Sequence, residues 1–196
     1  MRSGDQNIPS SCNYQKQMGR KQNTAWGIAT SGVMLFNSLS REKVDPFYPV
    51  VFDGNTNLDP ERVDKCLMHP QGTGLFHYHS PSTCIADQDY ILNAPMGRMG
   101  DVMNLTRSVY NENLKYRSVL GISKDGRPIY TPLYDNGKEY SGCDVDICNG
   151  IEIDGHYSYV STLFHPYIMG CYGPGSSPNL KQSCSGNPRM CNASDE

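Results

Sequence analysis

An internal repeat constrains the fold of this chain more than any other feature of its sequence. Residues 26–39 and 120–133 share the pattern G-I-small-x-[SD]-G-x-x-aliphatic-aromatic-x-x-L. The dipeptides Ser31-Gly32 and Asp125-Gly126 lie between short apolar runs, which is typical of β-hairpins. Each hairpin is followed by a cysteine, a strand rich in Tyr and His, and a second cysteine. We therefore expect an all-β fold with short helices, in which duplicated hairpin units pack as one pseudo-symmetric, disulfide-stabilised sandwich or barrel-like domain.

The cysteines indicate where such a protein folds. The 196 residues include eight cysteines, at positions 12, 66, 84, 143, 148, 171, 184 and 191. No pair has the C-x-x-C spacing of a zinc ribbon, so a structural zinc site is disfavoured. An even number in a chain rich in Gly and Pro favours a disulfide framework, which persists in oxidising compartments. Many pairings remain open, and we predict that Cys66 pairs with Cys84 and Cys148 with Cys171, on either side of the two aromatic strands.

Composition excludes several classes of protein. The formal net charge is −3, so no basic character points to nucleic acid. No apolar run approaches the roughly 18 residues of a membrane-spanning helix. Two glycosylation acceptor sequences, Asn104-Leu105-Thr106 and Asn192-Ala193-Ser194, agree with an extracellular glycoprotein. The first residues lack the apolar core of a signal peptide, so we expect a mature or excised portion of a secreted protein.

The histidines cluster around the two aromatic strands. All five lie in or beside these strands, at positions 69, 77, 79, 156 and 165. Because residues i and i+2 of a strand point to one face, His77 and His79 should project together. Two imidazoles on one face can chelate a transition metal, and the loop after His69 is flexible enough to return that residue to the pair. Histidines that only hydrogen-bond within a buried strand are the competing interpretation.

At these residues the sequence resembles the YHYH-domain family. The resemblance spans about Trp26 to Gly173 and rests on an ordered series of motifs: Gly-Val-Met-Leu-Phe-Asn (32–37), Cys66…His69-Pro70…Phe76-His77-Tyr78-His79, Gly121…Asp125-Gly126-Arg127-Pro128-Ile129-Tyr130, Cys148-Asn149-Gly150 and Pro166-Tyr167-Ile168-Met169-Gly170-Cys171. Members of the family look secreted, and the resemblance implies a fold more firmly than a function. The alternating Tyr and His of its name motif suggest a metal site.

The chain departs from the family pattern in its motifs. Phe76 replaces the first Tyr of the first motif, and Arg117-Ser118 stands where His-Ser is expected. The second motif reads His156-Tyr157-Ser158-Tyr159, which places Tyr157 and Tyr159 where histidines are expected. Either the first motif binds metal alone with His69, or a shift in register returns His156 to the site. A tyrosinate ligand is a third option, although a neutral tyrosine, whose pKa is ordinarily about 10, is a poor ligand.

These features predict three regions. Residues 1–25 form an N-terminal extension, residues 26–173 a YHYH-like domain with repeat halves at about 26–84 and 120–171, and residues 174–196 an irregular tail that contains cysteines. A short helix is expected to start at Asp59-Pro60, where Asp59 would cap the first turn.

The function expected from the sequence is metal binding by a secreted protein. His77 and His79 are the central ligands, with His69 as third ligand and His156 as a contribution from the second half. Copper is favoured over zinc, because the donors are imidazoles and no carboxylates cluster near them. A redox metal with an open position would allow oxidoreductase activity. The alternative is an extracellular module that binds protein or glycan through its 13 tyrosines and holds no metal.

Overall fold

The computed structural model describes residues 25–41, 44–50, 59–86, 102–174 and 185–190. They form eight strands: β1 Ala25–Ala29, β2 Met34–Phe36, β3 Met68–Pro70, β4 Phe76–Tyr78, β5 Val119–Ser123, β6 Pro128–Tyr130, β7 Gly150–Ile153 and β8 His156–Val160. Two helices are described, α1 Thr83–Ala86 and α2 Val102–Asn113. The expected β-rich fold with short helices is confirmed.

All eight strands lie in one sheet, with the order β3-β4-β2-β1-β5-β6-β8-β7. Strands β3 and β7 form its two edges and do not pair with each other, so the sheet is open. The expectation of sandwich or barrel-like packing is therefore not confirmed. The reason is that β1 pairs directly with β5, which joins the two hairpins edge to edge instead of face to face.

Glycines make the close contact between β1 and β5 sterically possible. Gly27 pairs with Ser123, and Gly121 pairs with Ala29. A Cβ atom on Gly27 would lie 2.5 Å from the carbonyl oxygen of Ile122, and one on Gly121 would clash with the carbonyl oxygen of Ile28. The shared G-I dipeptide of the repeat therefore forms the centre of the sheet.

The pairing pattern on one side of this centre recurs on the other. Strand β2 is antiparallel to β1 and parallel to β4, which is antiparallel to the edge strand β3. In the same way, strand β6 is antiparallel to β5 and parallel to β8, which is antiparallel to the edge strand β7. Tyr78 lies opposite Leu35, and Tyr159 lies opposite Ile129, so the two tyrosines have equivalent places in the sheet.

The central core covers one face of the sheet, and it contains both tyrosines. Its buried members include Leu35, Tyr78, Leu120, Ile129 and Tyr159. The predicted disulfides Cys66–Cys84 and Cys148–Cys171 are both present and border this core. Each of them ties the segment before an edge strand to the chain beyond the aromatic strand.

Other expectations concern single segments. No helix starts at Asp59, since residues 59–64 are irregular. Cys12, Cys184, Cys191 and Asn192 lie outside the described residues, as do residues 1–24 of the predicted N-terminal extension and residues 175–184 and 191–196 of the predicted tail. In the described part of the chain, no helix has the length and apolar character needed to cross a membrane.

Candidate metal centre

Strands β3 and β4 bring three of the predicted ligands to one face of the sheet. His69 on β3 lies directly opposite His77 on β4, so both side chains point to the same side. His79 directly follows β4 and points to that side by strand alternation. Tyr78 points to the opposite face and into the core, which anchors the strand between the two histidines.

The three imidazoles face one another at short range. One ligand nitrogen from each of His69, His77 and His79 lies within 4.8 Å of the other two. Ring centroids are 4.4 Å apart for His69 and His77, 5.0 Å for His69 and His79, and 4.8 Å for His77 and His79. The Nε2 atoms of His77 and His79 are 3.1 Å apart. This spacing suits ligands of one ion, since metal–nitrogen bonds of about 2.0–2.1 Å place neighbouring donors roughly 3 Å apart.

Backbone oxygens set the tautomers of the two buried histidines. His77 Nδ1 lies 3.2 Å from the carbonyl oxygen of Leu75, and His79 Nδ1 contacts that of Asn37. A carbonyl oxygen can only accept, so each Nδ1 carries the proton and donates. In the neutral rings both Nε2 atoms therefore present lone pairs to each other, a repulsive contact that a cation between them would relieve.

A carboxylate lies beside His69. The Nδ1 atom of His69 is 3.6 Å from Glu61 Oε2, which is too long for a hydrogen bond but within ion-pair distance of a protonated ring. Its Nε2 is buried and has no hydrogen-bond partner among the described residues. A buried polar atom without a partner costs about 1–3 kcal/mol, so this nitrogen fits a ligand that the structure does not contain.

A cavity of about 240 Å³ opens beside the histidines. Its walls include all three imidazoles together with Phe36 and Glu61. The Phe36 ring stacks on His77 with a centroid distance of 3.9 Å, which holds that imidazole in place. An ion bound by the three Nε2 atoms would thus have access to a space for a further ligand.

Burial keeps the three imidazoles neutral. Desolvation is the largest cause that lowers the pKa of each, and the pKa of His79 falls from 6.5 to about 3. The positive charges of protonated His69 and His77 also contribute to the lower pKa of His79, while the hydrogen bond to Asn37 opposes it. Neutral imidazole is the form that binds metal.

This burial predicts how the stability of the metal-free protein depends on pH. Below pH 6.5 the unfolded chain protonates His79, whereas the folded protein keeps it neutral until about pH 3. The free energy of unfolding should therefore fall as the pH falls through this window, with His79 contributing about 1.4 kcal/mol per pH unit. Urea unfolding with EDTA between pH 6 and 4.5 measures the slope.

The control for this prediction is a comparison of slopes between variants. In the His79→Gln protein, the slope of unfolding free energy against pH should be smaller by about 1.4 kcal/mol per pH unit. His156→Gln should leave the part of the slope that His79 contributes unchanged, because His156 lies outside the cluster. Equal slopes in wild type and His79→Gln would contradict the prediction.

The structure does not bring the other two histidines into this cluster. His156 is exposed at the start of β8, and four strands separate β8 from β4 in the sheet. No register shift could return it to the site across that distance. His165 is buried, and its Nε2 lies 2.9 Å from the carbonyl oxygen of Ser38, next to the Asn37 carbonyl that orients His79.

The strand register also corrects the alignment of the second motif. Tyr159 has the place of Tyr78, so Ser158 and Val160 have the places of His77 and His79. Tyr157 and Tyr159 therefore stand at tyrosine positions of the pattern and not at histidine positions. Their hydroxyls donate to carboxylates of Asp146 and Asp125, at 2.9 and 2.7 Å.

Sequence reasoning missed the oxygen atoms that lie beside the three imidazoles. Glu61 was expected in the first turn of a helix, and it faces His69 because residues 59–64 run irregularly beside β3. The carbonyls of Asn37 and Leu75 leave no signal in a sequence, since every residue type carries one. Asn37 directly follows β2 in the chain, and its carbonyl oxygen contacts His79 Nδ1.

Comparison with known proteins gives one result. The family described as YHYH protein has a model that matches residues 6–143, which is more than half of the chain and contains all three clustered histidines. No curated protein and no solved structure matches the sequence. The matched region begins before the expected residue 26 and ends before β7 and β8. This chain therefore belongs to the YHYH protein family.

Proposed function

We propose that this protein binds one divalent transition-metal ion through the Nε2 atoms of His69, His77 and His79. The observation that carries the proposal is the convergence of these three nitrogens, each on a ring whose Nδ1 is turned to an oxygen. Oxygen partners on the second nitrogen are typical of metal-ligating histidines, because they hold the ring and its tautomer. His156 is not part of the proposed ligand set.

Copper is the metal we expect first, and zinc is the second candidate. Three neutral imidazoles bind both ions, and among first-row divalent ions copper binds most tightly to a given donor set. Three protein ligands beside a cavity leave a further coordination position, an arrangement also found at catalytic zinc sites. With copper, this position is where an oxidoreductase reaction would take place.

The proposed setting of this site is extracellular. Cys66–Cys84 and Cys148–Cys171 are disulfides within the folded core, and Cys143 is also disulfide-bonded. Disulfides of this kind persist in secreted proteins. Asn104 is exposed on α2 and is the described candidate for glycosylation.

We propose also that the two halves of the sheet arose by duplication, with the metal site kept in the first. The recurring strand pairing and the repeated hairpin pattern support this. In the second half, the places of His69, His77 and His79 are taken by Ile151, Ser158 and Val160, which offer no imidazole.

The rival interpretation, a recognition module with a tyrosine surface, has less support. Most of the described tyrosines are buried or half-buried, and only Tyr116 and Tyr172 are exposed. Tyrosine hydroxyls such as those of Tyr110 and Tyr167 make hydrogen bonds within the core. These side chains therefore serve packing more than contact with a partner.

The test of the proposed function is metal analysis of protein purified without a histidine tag. We expect elemental analysis to find one copper or zinc ion per chain, or EDTA-treated protein to take up one equivalent of Cu²⁺ or Zn²⁺. At a metal concentration of about 100 times Kd, the stabilisation should be about 2.7 kcal/mol, visible as a higher Tm. Protein that takes up neither ion at micromolar concentration would contradict the proposal.

A further inference from the structure

The cavity beside the three histidines has a cation at its exposed rim. Arg41 lines it, and its side chain is exposed. Within the described part of the chain, no carboxylate forms an ion pair with Arg41, whereas Arg107, Arg117 and Arg127 each have one. A guanidinium that lines a cavity and has no ion-pair partner among the described residues can pair with a ligand.

The charge balance of the metal-loaded site favours an anion. A divalent ion adds two positive charges to three neutral imidazoles, and Arg41 adds a third. Glu61 is the one described acidic residue that lines the cavity, so it supplies a single negative charge. In a partly buried site this leaves an excess of positive charge, which an anionic ligand would lower.

The size and walls of the cavity limit what the anion can be. At about 240 Å³ it is smaller than the roughly 300–1,000 Å³ of sites for drug-sized ligands. Phe36, Leu39 and Pro70 provide apolar wall next to the charged groups. A small organic anion fits both the volume and the walls of the cavity, because its charged head group can pair with the cations and its hydrocarbon part can contact the apolar side chains.

We propose that the metal site binds a small organic carboxylate, with the metal ion as the anchor of its head group and Arg41 as a second recognition group. Guanidinium groups match carboxylates geometrically through paired N–H donors. This inference rests on the proposed metal function, and its test separates the failure of one from the failure of the other.

The experiment uses the full chain loaded with Co²⁺, whose visible spectrum reports its ligands. The cobalt-loaded protein is titrated with sodium acetate and, in separate experiments, with sodium chloride and with sodium phosphate, all at constant ionic strength. The variants are Arg41→Gln, Arg41→Lys and, as matched control, Arg62→Gln. Arg62 is exposed and adjacent to Glu61 in sequence, but does not line the cavity, so its substitution changes the net charge equally.

We expect acetate to change the cobalt spectrum in a saturable way. The Kd for acetate should be lower than the Kd for chloride or phosphate. Arg41→Gln should weaken acetate about tenfold, Arg41→Lys should weaken it less, and Arg62→Gln should leave it unchanged, as for the loss of one charge-assisted contact. Equal effects of acetate and chloride, tighter binding of phosphate, or equal behaviour of the Arg41→Gln and Arg62→Gln proteins would overturn the inference. Failure of the wild-type protein to bind Co²⁺, Cu²⁺ or Zn²⁺ would instead overturn the proposed metal function.

Discussion

Replacement of His77 and His79 with alanine is expected to abolish metal binding. Loss of a group that merely orients a ligand already costs about 10–100-fold in metal affinity. Removing one ligand should therefore cost at least about 100-fold, and removing two leaves only His69, which cannot hold the ion alone. Isothermal titration of EDTA-treated protein with Zn²⁺ measures the affinities. Wild type should bind one equivalent, and the double variant should show no saturable binding.

Two further variants separate ligand loss from misfolding. His77 and His79 are buried, so their substitution could disturb the sheet, and circular dichroism checks this. His69→Gln removes a ligand from the edge strand β3 and should weaken binding while the fold is kept. His156→Ala, exposed on β8, should bind as wild type. Wild-type affinity in a folded His69→Gln protein would refute the three-ligand site.

Gly121→Ala is expected to lower the stability of the whole domain. The new Cβ would meet the carbonyl oxygen of Ile28, the Cα of Ala29 and the side chain of Leu35. Two of these neighbours belong to the backbone of β1, so neither can move without separating β1 from β5. Overpacking of this kind costs about 1–3 kcal/mol, and we expect at least about 2 kcal/mol in urea unfolding. Gly27→Ala should have a similar effect, since its Cβ would approach Ile122.

The matched control is Gly72→Ala. A Cβ at Gly72 would have no atom within 4 Å. The stability of the Gly72→Ala protein should therefore stay within about 0.5 kcal/mol of that of the wild type. Equal stabilities of the Gly121→Ala and Gly72→Ala proteins would contradict the close approach of β1 and β5.

Local patterns were sufficient to predict that His77 and His79 point to the same side. Alternation along a strand places His77 and His79 on one face whatever surrounds them, because the side-chain period of a strand is two. The same holds for the turns, since Gly32 and Gly126 adopt the positive φ values that such turns require. Cys66–Cys84 and Cys148–Cys171 were predictable because each pair brackets one aromatic strand.

Strand order could not be predicted, and two expectations depended on it. The repeat indicates two similar units but not how they join, because the alternation of apolar residues within each unit is compatible with both edge-to-edge pairing and face-to-face packing. The sequence also suggests that the second motif begins at His156. The pairing of Ile129 with Tyr159 shows instead that Tyr159 has the place of Tyr78. His156 is thereby placed far from the cluster.

The sequence alone thus determined the local geometry: hairpins, disulfide-bordered aromatic strands and a pair of histidines on one face. Tertiary structure decided which groups meet across distance. It set His69 opposite His77, turned Glu61 and the Asn37 carbonyl to the imidazoles, and left His156 outside. The physical reason is that strand alternation depends on one residue and its neighbours, whereas pairing and packing depend on the free energy of the whole sheet.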